Sequence, residues 1–167
     1  TTILGKVPGG GVAPANDTTG NTDSSAGSTA YCQNPAGLAF YSSGASNQYR
    51  WLYVTCYSSN TIKRMNANPS DSTDDADGIY GDVFNVVGRL VSGVSAAGSI
   101  DGAYGPSGVA YAYNPYAIAT DSNGNIYWTE WGRGRIRMAT TSGNAMNVFS
   151  GRSTSVAQNI DNGAGVS

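Results

Sequence analysis

The sequence predicts an all-β protein made of two four-stranded antiparallel sheets, and three observations carry that prediction. No window holds an apolar i, i+3, i+4, i+7 stripe for three turns, because the 23 glycines in 167 residues interrupt nearly every one. Short segments rich in Val, Ile, Tyr and Trp and bounded by Gly, Asn, Ser and Pro read instead as strands: residues 37–41, 51–57, 61–65, 83–88, 116–120, 125–131, 134–139 and 146–150. These segments fall into two sets whose members recur in the same order, the mark of an internal repeat.

The repeat is readable residue by residue. Asn34-Pro35-Ala36-Gly37-Leu38-Ala39 returns as Asn114-Pro115-Tyr116-Ala117-Ile118-Ala119. Leu52-Tyr53-Val54-Thr55 returns as Ile126-Tyr127-Trp128-Thr129, and Thr61-Ile62-Lys63 as Arg135-Ile136-Arg137. Each set closes on an apolar strand running into Gly and a basic residue, Val86-Val87-Gly88-Arg89 and Val148-Phe149-Ser150-Gly151-Arg152, and a third such ending, Ile3-Leu4-Gly5-Lys6, opens the chain. Asn159-Ile160-Asp161-Asn162-Gly163-Ala164 echoes Ser99-Ile100-Asp101-Gly102-Ala103, so a further repeat is expected to begin near residue 153. The resulting division is 1–33, an outer strand with a Gly-rich loop; 34–89, the first set; 90–113, a Gly/Tyr-rich connection; 114–152, the second set; and 153–167, the start of a truncated third repeat.

Composition narrows the function classes. Asp, Glu, Lys and Arg make up 12% of the chain, against about 25% in typical proteins. The net charge of −2 offers no clustered cation for a polyanion, so nucleic acid is not expected as a partner. Arg133, Arg135 and Arg137 have the period-2 spacing of one strand face and are read as solvated, with an anion site as the alternative. There is no histidine, which removes the usual general base and the commonest zinc ligand. No apolar run is long enough for a membrane span, and residues 1–6 lack the features of a signal peptide, so no membrane insertion is expected. Cys32 and Cys56 permit one pairing and belong to no Cys-x-x-Cys motif. A disulfide is expected, with two buried thiols as the alternative. The cysteine pair and the weakly charged, Gly-, Ser-, Thr- and Asn-rich composition point to an extracellular or cell-surface protein.

The stretch from Asn114 through Thr120-Asp121-Ser122-Asn123-Gly124-Asn125-Ile126-Tyr127-Trp128-Thr129-Glu130-Trp131-Gly132, continued by Arg135-Ile136-Arg137 and Ser142-Gly143-Asn144, resembles one blade of the YWTD β-propellers. NHL-repeat propellers share the same succession of Pro, turn, Tyr strand and Arg-Ile strand. The resemblance is weaker over 34–89, where Cys56 stands in place of the family's acidic residue; Glu130 keeps it. The resemblance implies β-propeller-like, four-stranded antiparallel blades, with the ring or stack completed by other copies or by missing sequence, since propellers use about 4–8 blades. It also implies that Glu130 is a structural brace between blades rather than a catalytic acid, and Asp121 is read as a further structural brace. In this frame Cys32 and Cys56 lie at the same end of the first blade, where a bridge would stand in for the missing acid. The Asn123-Gly124 dipeptide after Asp121 suits a turn between first and second strands. Alternation of Ile126, Trp128 and Glu130 with Tyr127, Thr129 and Trp131 gives two partly apolar faces, with Trp128 and Trp131 read as core aromatics.

Several further residues are candidates for sites. Asp74, Asp75, Asp77 and Asp82 sit in an acidic, Gly-containing loop that could take calcium, although without the EF-hand pattern; the alternative is a solvated loop, and no other cofactor is expected. Asn16-Asp17-Thr18 matches the N-glycosylation acceptor. Tyr104, Tyr111 and Tyr113 in the connection are candidate contacts for a protein or glycan ligand. Ile3 and Leu4 are read as an assembly strand that pairs with a neighbouring copy's blade or with the chain's own last blade. The expected function is therefore a non-enzymatic extracellular module for structural assembly or for adhesion and ligand binding, whose partners include other copies of itself. The alternatives are a fragment of a larger propeller protein and a metal-dependent propeller hydrolase or lactonase, whose metal would need Asp101, Asp121, Glu130 or Asp161 to converge.

Overall fold

The structure, a computed structural model, describes residues 32–43, 49–71, 80–88, 90–91, 94–95, 97–98, 102–103, 110–140 and 145–151. The first repeat builds β1 (Pro35–Ser43), β2 (Tyr49–Cys56), β3 (Thr61–Asn66) and β4 (Val83–Val87). These strands lie in sequence order as an antiparallel meander. The connection contributes a short hairpin, β5 (Leu90–Val91) with β6 (Val94–Ser95), and the two-residue β7 (Gly102–Ala103). The second repeat builds β8 (Pro115–Thr120), β9 (Ile126–Glu130), a 3-10 turn at Trp131–Arg133, β10 (Arg135–Ala139) and β11 (Ala145–Ser150). Its sheet has the order β7-β11-β10-β9-β8, again a meander apart from β7.

The described chain is all β apart from that single 3-10 turn, and its two meanders are propeller-like blades. The sheets repeat in detail. A bulge interrupts the first strand pair of each, between Pro35 and Gly37 and between Pro115 and Ile118. Asn34 and Asn114 both take a left-handed backbone with φ of 52° and 43°, unusual before proline and tolerated because Asn can hydrogen-bond locally. The turns between second and third strands end on Asn60 and Gly134, again both left-handed. Gly88 and Gly151 close the fourth strands at φ of 94° and 91°, and a Cβ at either would collide with the turn that precedes the third strand. Four matched backbone irregularities explain why the repeat survives at these residues while the loops between them vary.

One face of each blade is buried against the other. On β9 and β10 burial alternates strictly: Ile126, Trp128, Glu130, Arg135, Arg137 and Ala139 are buried, while Tyr127, Thr129, Ile136 and Met138 are half-exposed. From the first blade the facing side offers Trp51, Tyr53, Ile62 and Val87, and the connection inserts Ala110 and Ala112 into the same core. A second, smaller cluster, Met65 and Val83 with Leu52, lies on the opposite side of the first blade. The blades meet along their first strands, β8 packing on β1 and β2. The Thr55 hydroxyl accepts from the Gly37 amide at 2.8 Å and donates to the Tyr116 carbonyl of the next blade at 2.5 Å. The Thr120 hydroxyl donates to the Phe40 carbonyl at 3.0 Å.

Three expectations need correcting. Residues 90–113 are more than a connection, because β7 adds a fifth strand to the second sheet and covers part of the edge that β11 would leave open. Arg135 and Arg137 are buried rather than solvated, and Arg133 is on no strand; it sits in the 3-10 turn with its guanidinium 4.3 Å from the centre of the Tyr113 ring. Trp131 is 68% exposed and no core aromatic: it follows Glu130 in the 3-10 turn and has the parity of Tyr127 and Thr129, on the side away from the first blade. Ile3, Leu4, Asn16, Asp74, Asp75, Asp77, Asp101, Tyr104 and Asp161 lie outside the described residues.

The close approach of the blades yields a sign test. A Cβ at Gly37 would lie 2.5 Å from the Tyr116 carbonyl oxygen, although Gly37 sits in an ordinary extended strand. Strand propensity alone predicts that Gly37→Ala stabilises the protein by roughly 0.5–1 kcal/mol. The observed packing predicts the opposite sign, a loss of stability in urea denaturation.

Candidate functional site

The ends of the blades where second strands turn into third strands hold the buried polar groups that tie the structure together. In the second blade Glu130 is buried, and its Oε2 accepts from Arg135 Nε at 2.7 Å and pairs with Arg135 Nη2 at 2.6 Å. Its Oε1 accepts the Tyr113 amide at 3.0 Å and lies 3.3 Å from Arg137 Nη1, which also donates to the Tyr111 carbonyl. Glu130 is thus engaged by two guanidiniums and a backbone amide. Burying these charges is tolerable only because each is paired and hydrogen-bonded.

The first blade solves the same problem covalently. Cys56 pairs with Thr61 across the sheet as Glu130 pairs with Arg135, and Cys32 precedes Asn34 as Ala112 precedes Asn114. Cys32 and Cys56 form a disulfide with their Cα atoms 5.1 Å apart. It fixes the approach to the first strand against the end of the second, which the Tyr113 amide and Glu130 do in the other blade. Lys63, in the place of Arg137, is likewise fully buried.

At the opposite end of the second blade, Asp121 organises the turn between first and second strands. Its Oδ1 accepts the amides of Asn123 and Asn125, each at 2.9 Å, and its Oδ2 accepts from Asn125 Nδ2 at 2.8 Å and the Tyr127 hydroxyl at 3.1 Å. Burial pushes the Asp121 carboxyl up, but the hydrogen bonds from Asn125, Tyr127 and Asn123 outweigh it and hold the group below its ordinary value. Burial, the bond to Asp121 and the Asp121 charge together raise the Tyr127 phenol. Gly124 takes φ of 82°, and a Cβ there would strike the Tyr41 ring, so the turn rests on the first blade.

These placements decide which candidates come together. Asp121 and Glu130 sit at opposite ends of β9, about 13 Å apart along a strand rising roughly 3.3 Å per residue, so they share no site. Among the described residues no group of three or more His, Cys, Asp and Glu side chains could hold a metal. Asp82 is buried at the start of β4. Tyr111 and Tyr113 are half-buried, Tyr111 through its carbonyl on Arg137 and Tyr113 through its amide on Glu130 and its ring under Arg133. An aromatic surface lies at the blade end: Tyr116 meets Tyr57 edge-on at 6.1 Å and Trp131 at 5.5 Å, and Tyr116 and Trp131 are both exposed.

The outer flanks of the pair carry the remaining exposed apolar groups. Leu38 and Phe40 on β1 face away from the second blade and are 66% and 54% exposed. Further out on that flank Val54, Lys63, Met65 and Val83 are buried. On the far side of the second blade Ala117, Ala119 and Phe149 are exposed, beside half-exposed Tyr127, Thr129, Ile136 and Met138. Among the described residues no helix is long and apolar enough to cross a membrane.

No protein-family model matches the chain, and no curated protein matches it. Among solved structures, it is similar to virginiamycin B lyase from Staphylococcus aureus at 17% identity with a TM-score of 0.26. The match covers 69% of this chain and 40% of that one, so the chain spans less than half of that protein's length.

Two predictions follow from the buried polar groups. Glu130→Gln removes the carboxylate charge that Arg135 and Arg137 share in a buried site and should destabilise the fold by about 3–5 kcal/mol in urea denaturation. Asp121 is held below its unfolded value, so its contribution is present above about pH 4 and is lost as pH falls through the lower folded value. Asp121→Asn should therefore be less stable than the parent at neutral pH, with the difference shrinking below pH 4 in a pH series of denaturant midpoints.

Proposed function

We propose that this chain supplies blades of the NHL/YWTD type to an extracellular assembly and acts as a non-enzymatic structural, adhesive or ligand-binding module. One observation carries the reading: both outer flanks expose apolar side chains along the first strands, the same strands through which the two blades pack on each other. A blade whose inner strand shows Leu38 and Phe40 to water gains by covering them, at about 25 cal/mol per Å² of apolar surface buried. The cover is further blades of the same kind, from other copies or from a longer polypeptide.

The other parts of the reading have their own supports. The Cys32–Cys56 bridge favours an oxidising compartment, which agrees with an extracellular or surface location. Glu130 and Asp121 are each consumed by structural hydrogen bonds, which favours binding over catalysis. The exposed Tyr116 and Trp131 rings suit a protein or glycan partner, because an aromatic face offers contact area at low conformational cost.

Assembly between copies is tested by light scattering over a concentration series. Masses that rise to whole multiples of the chain mass are expected; a constant monomer mass at every soluble concentration contradicts the proposal that copies cover one another.

A further inference from the structure

The contact already made between the two blades serves as a template for one that their outer flanks can make. The repeat pairs Gly37 with Ala117, Thr55 with Thr129, Tyr57 with Trp131 and Ala36 with Tyr116. In the first blade the Gly37 amide donates to the Thr55 hydroxyl, which donates onward to the Tyr116 carbonyl of the next blade. In the second blade the Ala117 amide donates to Thr129 Oγ1 at 3.0 Å, the same arrangement. Among the described residues the Thr129 hydroxyl has no acceptor. It lies on the outer flank, half-exposed, where a third blade would lie.

The complementary half of that contact is open along β1. The position matching Tyr116 is Ala36, an exposed residue of β1 just ahead of Leu38 and Phe40. Within the chain, the Tyr57 ring meets Tyr116 edge-on. Across the flanks, the matching pair is the exposed Trp131 and the small Ala36, so a larger ring faces a smaller neighbour.

We propose that a second copy of this chain docks head to tail, laying the outer flank of its first blade on the outer flank of the second blade. The Thr129 hydroxyl of one copy donates to the Ala36 carbonyl of the other, and Leu38 and Phe40 pack over Ala117, Ala119 and Tyr127. The proposal rests on the blade reading above and adds the identity and orientation of the cover. Its residues also set the spacing. Gly37 has no methyl where Ala117 has one, and a Cβ at Gly37 would lie 2.5 Å from the facing carbonyl. The copies must therefore stand slightly further apart than the blades within a chain, and the hydroxyl-to-carbonyl hydrogen bond between copies is longer than the 2.5 Å from Thr55 to Tyr116. A contact of this kind is heterologous, so it closes into a ring or extends as a filament.

The experiment compares Leu38→Asp and Ala117→Asp by light scattering, alone and mixed. Both positions are exposed, and near-ultraviolet circular dichroism of the buried Trp128 checks the fold. Each variant alone should be monomeric, because each has lost one half of the contact. The equimolar mixture should form dimers and nothing larger, because the two intact halves can meet only once. Ala117→Gly should shift assembly to at least several-fold lower concentration, and Ala117→Val should oppose it. Assembly of either Asp variant alone at the parent's concentration, or a mixture that stays monomeric, overturns the head-to-tail contact. If the parent still assembles in that case, blade stacking between copies stands by another surface; a parent that never assembles removes both. Should an Asp variant lose the Trp128 signal, the Gly and Val variants decide, and an unchanged assembly concentration in Ala117→Gly overturns the proposal.

Discussion

The approach of one inner strand to another organises this structure. β8 comes close enough to β1 and β2 for a threonine hydroxyl to reach a carbonyl of the next blade, and glycine at position 37 is what permits that distance. Once the strands are held there, Trp128 and Ile126 are pressed against Tyr53, Ile62 and Val87, and the strict alternation on β9 and β10 becomes a buried face and an open one. A four-stranded meander has no other way to hide a whole side. Its two faces alternate along every strand, so covering one through a neighbour leaves the opposite face with the same need.

The two blades meet a common demand with different chemistry. Each must fix the entry to its first strand against the end of its second, at a place where backbone groups leave the ladder. The second blade uses a carboxylate held by two guanidiniums and a backbone amide; the first uses a covalent bridge. The ion cluster is costly to bury and depends on every partner being present. The disulfide acts mainly by restricting the unfolded chain and carries no desolvation cost. The same end of each blade repeats the left-handed Asn before Pro and the glycine closing the fourth strand, so the backbone path is conserved between repeats even where the brace is not.

Much of this was legible in the sequence, for physical reasons that can be named. The strands of both sets lie within a residue or two of their expected positions, because Gly, Asn and Pro punctuate short β-branched and aromatic runs without ambiguity. The disulfide and the Asn-Gly turn were readable because Cys32 and Cys56 allow one pairing and Gly124 needs a positive φ. The arginines were misread because period-2 spacing fixes a shared face but not which face is inward, and Glu130, the residue that makes burial possible, is five positions from Arg135 and across the turn. Trp131 was misplaced because its parity puts it with Tyr127 and Thr129, on the face that the first blade does not cover. β7 escaped because two residues, Gly102 and Ala103, carry no strand signal; their pairing is set by the edge of β11.

The two blades form one cooperative body held by their shared face. Native-state hydrogen exchange measures this most directly, through the amides of β2 and β3 in the first blade and of β9 and β10 in the second. The slowest amides of both blades are expected to open with the same free energy and the same denaturant dependence. Two separate sets of values, one for each blade, would contradict it.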